Sequence, residues 1–391
     1  MNFRLPTFEN IITYDNSKFY NLEFWKKAKE HYDAKEYKLS AINVLQYLNS
    51  SFLKKKDIKK DRIEIYCKHG LADIEIIVTN THISVKSKLI KLPKENRKAI
   101  LRQVAEFNFA FFDFAKIVLD EELLYIDFQT PLALAHPHYL FDVLYEIIYG
   151  SDKILSELIF NYNAKPLWEI QRLPKEKEKK VLEEISLIKQ EYFELTKHFK
   201  ENNEDSLEWD IGVISLYKLV LLKHLRGKTF FEIRELLETA YDGDLSVERR
   251  AELMYDFFER MDEKKLKDEV FTVELAASDK KYCNSEIAQE FFGDYKDIVD
   301  SFYQNGKKLK LSYMITTIML RFLILYNVDK KNFTFINKTL MRQSKSDTEL
   351  AYKKLRSAFY KLFQQDIGAD NETELLVFSI FIIIVLYYIF K

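Results

Sequence analysis

The stretch LADIEIIVTNTHISVKSKLI, residues 71–90, decides the fold class. Ile74, Ile76 and Val78 alternate with other residues, and beyond Asn80-Thr81 so do Ile83 and Val85. A period of two places each set on one face of a strand, so the stretch predicts an antiparallel hairpin with one buried side. Upstream, IEIYCK repeats the pattern with Ile63 and Ile65, and Gly70 supplies the residue a tight connection needs. Downstream, Leu92-Pro93 is expected to open a helix, with Pro93 in the first turn where a missing N–H is tolerated. Ile100, Leu101, Val104 and Phe107 form its apolar stripe. FFDFAKIVL and ELLYIDFQ then predict two further strands, and Pro137 leads into another helix, PHYLFDVLYEIIYG.

Residues 21–53 predict two short helices joined near Asp33 to Glu36. Trp25, Ala28, Tyr32, Ala41 and Leu45 fall at spacings that resemble one tetratricopeptide unit, in which large residues interlock and a small one admits close packing. Lys29 and Leu53 stand where that pattern has Gly and Pro, no second copy follows, and an ordinary amphipathic pair is the other reading. The order helix, three strands, helix, two strands, helix is carried by HGLADIEIIVTNTHISVKSKLIKLP, NRKAILRQVAEFN and FDFAKIVLDEELLYIDFQ. It resembles the YbjN-like and type III secretion chaperone-like fold over about residues 40–160, including Lys91-Leu92-Pro93 before a helix that ends at Glu106-Phe107-Asn108. The resemblance implies a small α/β module that binds other proteins, often as a dimer, with no catalytic residues to transfer. Here the module sits in a much longer chain, unlike the compact secretion chaperones.

After Pro166 and Pro174 the charged run KEKEKKVLEEISLIKQEYFELTKHFKENNED spaces Val181, Ile185, Ile188, Tyr192, Leu195 and Phe199 by fours and threes. That is a heptad seam of about three repeats, either packed on the chain's own domain or serving as a partner or dimer seam. From Leu207 to about Ile367 the pattern is helical: DIGVISLYKLVLLKHLRG with Gly227 as its expected stop, then amphipathic runs, and Ser346 with Glu349 as a capping box. With 8 Gly and 6 Pro among 391 residues, connections are expected to be short. The reading is α+β: a helical, tetratricopeptide-like segment at 1–60, an antiparallel-sheet module at 61–165, a connecting helix at 166–205, a helical domain at 206–370 and a hydrophobic tail at 371–391.

Residue chemistry points away from catalysis. His136-Pro-His138 is the one histidine cluster, and it lacks a nearby Asp, Glu or Cys at ligand spacing, so no metal is expected. Gly227-Lys228-Thr229 lacks the upstream glycine of a phosphate loop, no G-x-S-x-G occurs, and no cofactor is expected. Cys67 and Cys283 lie far apart and predict no disulfide framework. A net charge of −1, from 60 basic and 61 acidic residues, argues against nucleic acid as partner. The expected function is a non-enzymatic interaction protein, chaperone-like or an adaptor, with a protein partner and a homodimer as candidates. The alternative is an enzyme or nucleic-acid-binding factor with its site in the helical domain.

The tail LLVFSIFIIIVLYYIF, residues 375–390, has no charged residue. Leu375, Phe378, Phe381, Ile384, Tyr387 and Phe390 are its candidate lipid-facing residues. Sixteen helical residues span about 24 Å against a ~30 Å hydrocarbon core, and Tyr387-Tyr388 and Lys391 suit an interface. The N-terminus has no apolar signal core, so the expectation is a cytoplasmic protein held by its tail at the inner membrane face. Arg321 argues against insertion of the other strongly apolar run. On this expectation the full chain fractionates with membranes while a chain ending at Asp370 does not; if both stay soluble without detergent and only the truncation misfolds, the tail is core.

Overall fold

The alternation around residues 63–91 becomes three neighbouring strands: β1 Ile63–His69, β2 Ala72–Val78 and β3 His82–Lys91. With β4 Lys116–Asp120 and β5 Leu123–Pro131 they make a five-stranded antiparallel sheet in the order β1-β2-β3-β5-β4. Ile65 lies opposite Ile76, Ile76 opposite Val85 and Val85 opposite Phe128, so one apolar row crosses four strands on the buried face. The other face carries Tyr66, Glu75 and Lys86, the last with Nζ 4.2 Å from the Tyr125 ring centroid. The computed structural model describes residues 5–8, 21–53, 60–170, 172–202, 207–222, 224–273, 281–283, 285–328, 330–343 and 348–364.

Helices α1 Leu22–Asp33 and α2 Tyr37–Leu48 form the expected hairpin. Ser40 donates its hydroxyl to the Ala28 carbonyl, and the Trp25 ring lies 4.9 Å from Tyr47 and 5.7 Å from Phe141. Phe141 belongs to α4 Pro137–Tyr162, which packs with α2 against the sheet. α3 Arg97–Ala110 begins later than expected: Asn96 takes a left-handed conformation, φ 56°, so the helix cannot run back to Pro93. Phe111 to Phe114 also lie outside the strand they were expected to join. The Phe111 and Phe112 N–H groups donate to the Phe107 carbonyl at the end of α3, and Glu146 on α4 accepts the N–H groups of Asp113, Phe114 and Ala115, so none of these is left for a ladder.

The rest is helical: α5 Lys175–Glu201, α6 Glu208–Leu221, α7 Lys228–Ala240, α8 Val247–Arg260, a single turn α9 Glu263–Leu266, α10 Ser285–Gly293, α11 Lys296–Gln304, α12 Lys308–Leu325, α13 Lys330–Gln343 and α14 Thr348–Gln364. The fold is therefore α+β, a small antiparallel sheet with a mostly helical remainder. α6 stops at Leu221, well before the glycine assigned to that role from sequence. Gly227 instead precedes α7 at φ +84°, where Glu269 packs so closely that an added Cβ would lie 3.2 Å from it. Among the described residues no helix is long and apolar enough to cross a membrane. The expected tail and Ser346 lie outside the described residues.

Buried apolar residues fall into two clusters. One joins α1, α2, the sheet, α3 and α4; the other joins α5 to α14 with Leu5 and Phe8. They are tied at the β1–β2 turn, where the Gly70 N–H donates to the Thr272 carbonyl (3.0 Å) and His69 bridges to Val273. Asp152 of α4 closes this turn by accepting the Leu71 N–H at 2.7 Å, and a Cβ at Gly70 (φ +59°) would sit 2.5 Å from its carboxylate oxygens. Burial pushes the Asp152 carboxyl up to about 7, against the opposing pull of Arg226 and the turn amides.

A carboxyl whose folded pKa is raised stabilises fully below its unfolded value and loses that contribution as pH climbs to the folded value. The stability of the native chain minus that of Asp152→Asn is thus expected to fall between about pH 4 and about pH 7 by roughly 1.4 kcal/mol per pH unit, then level. Chemical denaturation at a series of pH values measures it, and a pH-independent difference would contradict this account of the junction.

Candidate functional site

The six heptad residues of α5 all face inward. Val181, Ile185, Ile188, Tyr192, Leu195 and Phe199 are buried, none more than 9% exposed. Their neighbours belong to the same chain: the Tyr192 ring stacks on Phe258 of α8 at 4.3 Å, and Phe199 meets Tyr313 of α12 edge-on at 5.4 Å. Packing against α6, α8 and α12 leaves none of the six for a partner or a second copy. Of the two readings of the seam, packing on the chain's own domain is the one this burial matches, because a heptad stripe serves an internal bundle as well as a coiled coil.

Within that seam one position is acidic. Glu191 stands three residues after Ile188, so the helical period turns it toward the same interior, where it is 6% exposed. Facing it on α6 is Lys218, fully buried in the apolar run GVISLYKLVLL and joined to Glu191 Oε2 in an ion pair. The lysine stem is too deep for its ammonium to reach water, and the carboxylate is a partner that helps make its burial tolerable.

The other carboxylate oxygen binds a distant part of the chain. Glu191 Oε1 accepts both the backbone N–H of Thr7 at 2.7 Å and its hydroxyl at 2.6 Å, across 184 positions. Thr7 lies in Leu5-Pro6-Thr7-Phe8, which forms neither helix nor strand. Leu5 and Phe8 bracket it as buried anchors, 5% and 0% exposed, and Pro6 is buried between them. Lys218 Nζ lies 4.7 Å from the Phe8 ring centroid, within cation–π range. The site thus grips a four-residue segment by one amide, one hydroxyl and two apolar side chains three positions apart. Burying the two anchors contributes about 3–6 kcal/mol. Ordering four backbone residues costs about 4–8 kcal/mol, so the hydrogen bonds to a charged acceptor decide the balance.

Other buried carboxylates also have structural work. Glu269 accepts the Thr229 N–H at 2.6 Å beside Gly227. Asp210 pairs with Lys310, and burial still pushes its carboxyl up to about 6. Arg321 rests 4.3 Å from the Tyr241 ring centroid and donates to the Tyr295 hydroxyl at 2.9 Å, which accounts for its place in an apolar helix. His136 and His138 stack on each other at 5.5 Å and meet Tyr32 and Trp25 edge-on. Among the described residues no group of three His, Cys, Asp or Glu is placed to hold a metal ion. Cys67 is buried on β1 and Cys283 half-buried; neither is in a disulfide. Leu375, Phe378, Phe381, Ile384, Tyr387 and Phe390 lie outside the described residues.

Leu5, Thr7, Phe8, Glu191 and Lys218 were not singled out from the sequence. The available signal was a lone lysine in an otherwise apolar helix, together with an acidic residue on the inner face of the seam. No known family model matches the chain, and no curated protein matches it in sequence.

Truncating one partner strands the other charge in the interior. Lys218→Ala is expected to destabilise by about 3–5 kcal/mol, whereas the double change Lys218→Met with Glu191→Leu recovers most of that loss. Urea titration distinguishes the cases, and a double variant as unstable as the single one would overturn the assignment.

Proposed function

We propose that the chain is a non-enzymatic protein-interaction protein, chaperone-like or adaptor in kind, that binds extended peptide segments on the face between α5 and α6. The observation that carries this is Glu191 Oε1 accepting both donors of Thr7 while Glu191 Oε2 engages Lys218. Peptide recognition needs just such elements: a backbone contact for affinity, a side-chain contact for selectivity and pockets for apolar anchors. The carboxylates at Glu146, Glu191 and Glu269 accept backbone N–H groups, a holding role that fits binding better than proton transfer.

The likeness to YbjN-like, type III secretion chaperone-like modules belongs to the same proposal, supported by the element order across residues 63–162. The second core cluster is the addition such a module lacks, and it carries the peptide site. In this reading the tail attaches the protein to the inner face of a membrane, and the neutral net charge disfavours nucleic acid.

Selection of random peptides on the full-length chain tests the reading. Peptides with two apolar residues three apart and a Ser or Thr before the second are expected to be enriched, and Glu191→Gln is expected to weaken them about tenfold. Failure to enrich any peptide sensitive to Glu191 would contradict it.

A further inference from the structure

The segment that fills the site belongs to no helix and no strand, and it reaches α5 from 184 positions away. Its hold is modular. Among the described residues, one buried oxygen accepts two hydrogen bonds from Thr7, two side chains supply apolar contacts, and a buried ammonium faces the aromatic ring. Among the described residues, releasing Leu5 to Phe8 breaks no ladder and unwinds no helical turn, so the bundle formed by α5, α6, α8 and α12 can keep its own contacts when these four residues leave.

We propose that Leu5 to Phe8 is a resident, displaceable ligand of this groove, and that the partner is an extended peptide of the same pattern. Each position has a physical reason. An apolar residue fills the Leu5 site, which is closed to water. The third position requires a hydroxyl, because Glu191 Oε1 accepts two hydrogen bonds from one residue and alanine supplies one. An aromatic ring is preferred at the fourth, where Lys218 Nζ sits 4.7 Å from the centroid and an aliphatic side chain would forfeit the attraction. Proline at the second position fixes its own φ and presets an extended backbone, in which residues three apart can share a face. The tether makes the resident segment a high-local-concentration competitor, so the groove stays closed to weak or mismatched peptides and opens to a well-matched one. This proposal rests on the peptide-binding reading above and adds the identity of the occupant.

The test uses full-length protein and a fluorescein-labelled peptide of residues 1–12, followed by anisotropy. In the variant Leu5→Ala/Phe8→Ala the resident segment loses both anchors, so the peptide is expected to bind about tenfold more tightly than to the native chain. Adding Glu191→Gln, or replacing Thr7 by alanine in the peptide, is expected to remove most of that gain. If circular dichroism shows that the double variant does not fold, Thr7→Ala in the full chain takes its place, with a severalfold gain expected. Equal binding to native and variant chains, no binding to either, or binding indifferent to Glu191 would overturn the proposal. Selected peptides that depend on Glu191 while the residue 1–12 peptide does not bind would leave the peptide-binding reading standing and remove the resident-ligand assignment alone.

Discussion

A lysine and a glutamate meet where the second core cluster has almost no water, and their mutual need constrains everything around them. Neither charge is tolerable there alone. Lys218 fixes the orientation of Glu191, Glu191 holds one oxygen toward Lys218 and the other toward Thr7, and α5 and α6 are thereby set at a fixed register. An apolar pair of similar volume would pack as well or better. It would not present an acceptor to an extended backbone. The ion pair therefore makes most sense as a binding feature held inside a structural seam.

The same economy recurs at other buried carboxylates. Asp152 accepts the Leu71 amide, Glu146 the amides before β4, and Glu269 the Thr229 amide at the start of α7. In each case a carboxylate on or beside a helix satisfies backbone donors that no ladder or helix can reach. Burial opposes ionisation at Asp152, so the join between sheet module and helical region loses stability as pH rises.

Much of the architecture was legible in the sequence because its signals are local. Alternation at Ile63 to Val85 gave three strands, Pro137 marked the start of α4, and the fours-and-threes spacing from Val181 to Phe199 gave α5. The errors also have local causes. Asn96 in a left-handed conformation delays α3, the Phe107 carbonyl and Glu146 together hold Phe111 to Phe114 out of the strand, and Gly227 serves the helix after it instead of the one before. The direction of the seam was not legible, since period alone does not say whether a stripe meets its own chain or another. The site was least legible of all: Thr7 and Glu191 are 184 positions apart, and nothing at either end marks the other. Lys218 inside GVISLYKLVLL and Glu191 on the inner face of the seam were the clues, because a lone buried cation implies a buried acceptor.

Amide hydrogen exchange at Thr7 in the native full-length chain tests the central claim most directly. If Leu5 to Phe8 is a separable occupant, the Thr7 amide is protected, yet opens at a free energy well below that of the α5 amides of Ile188 and Tyr192. Exchange at the unprotected rate would mean that the groove is not filled. Exchange at the same free energy as the α5 core would mean that the segment is an integral part of the fold, and either result would contradict the account.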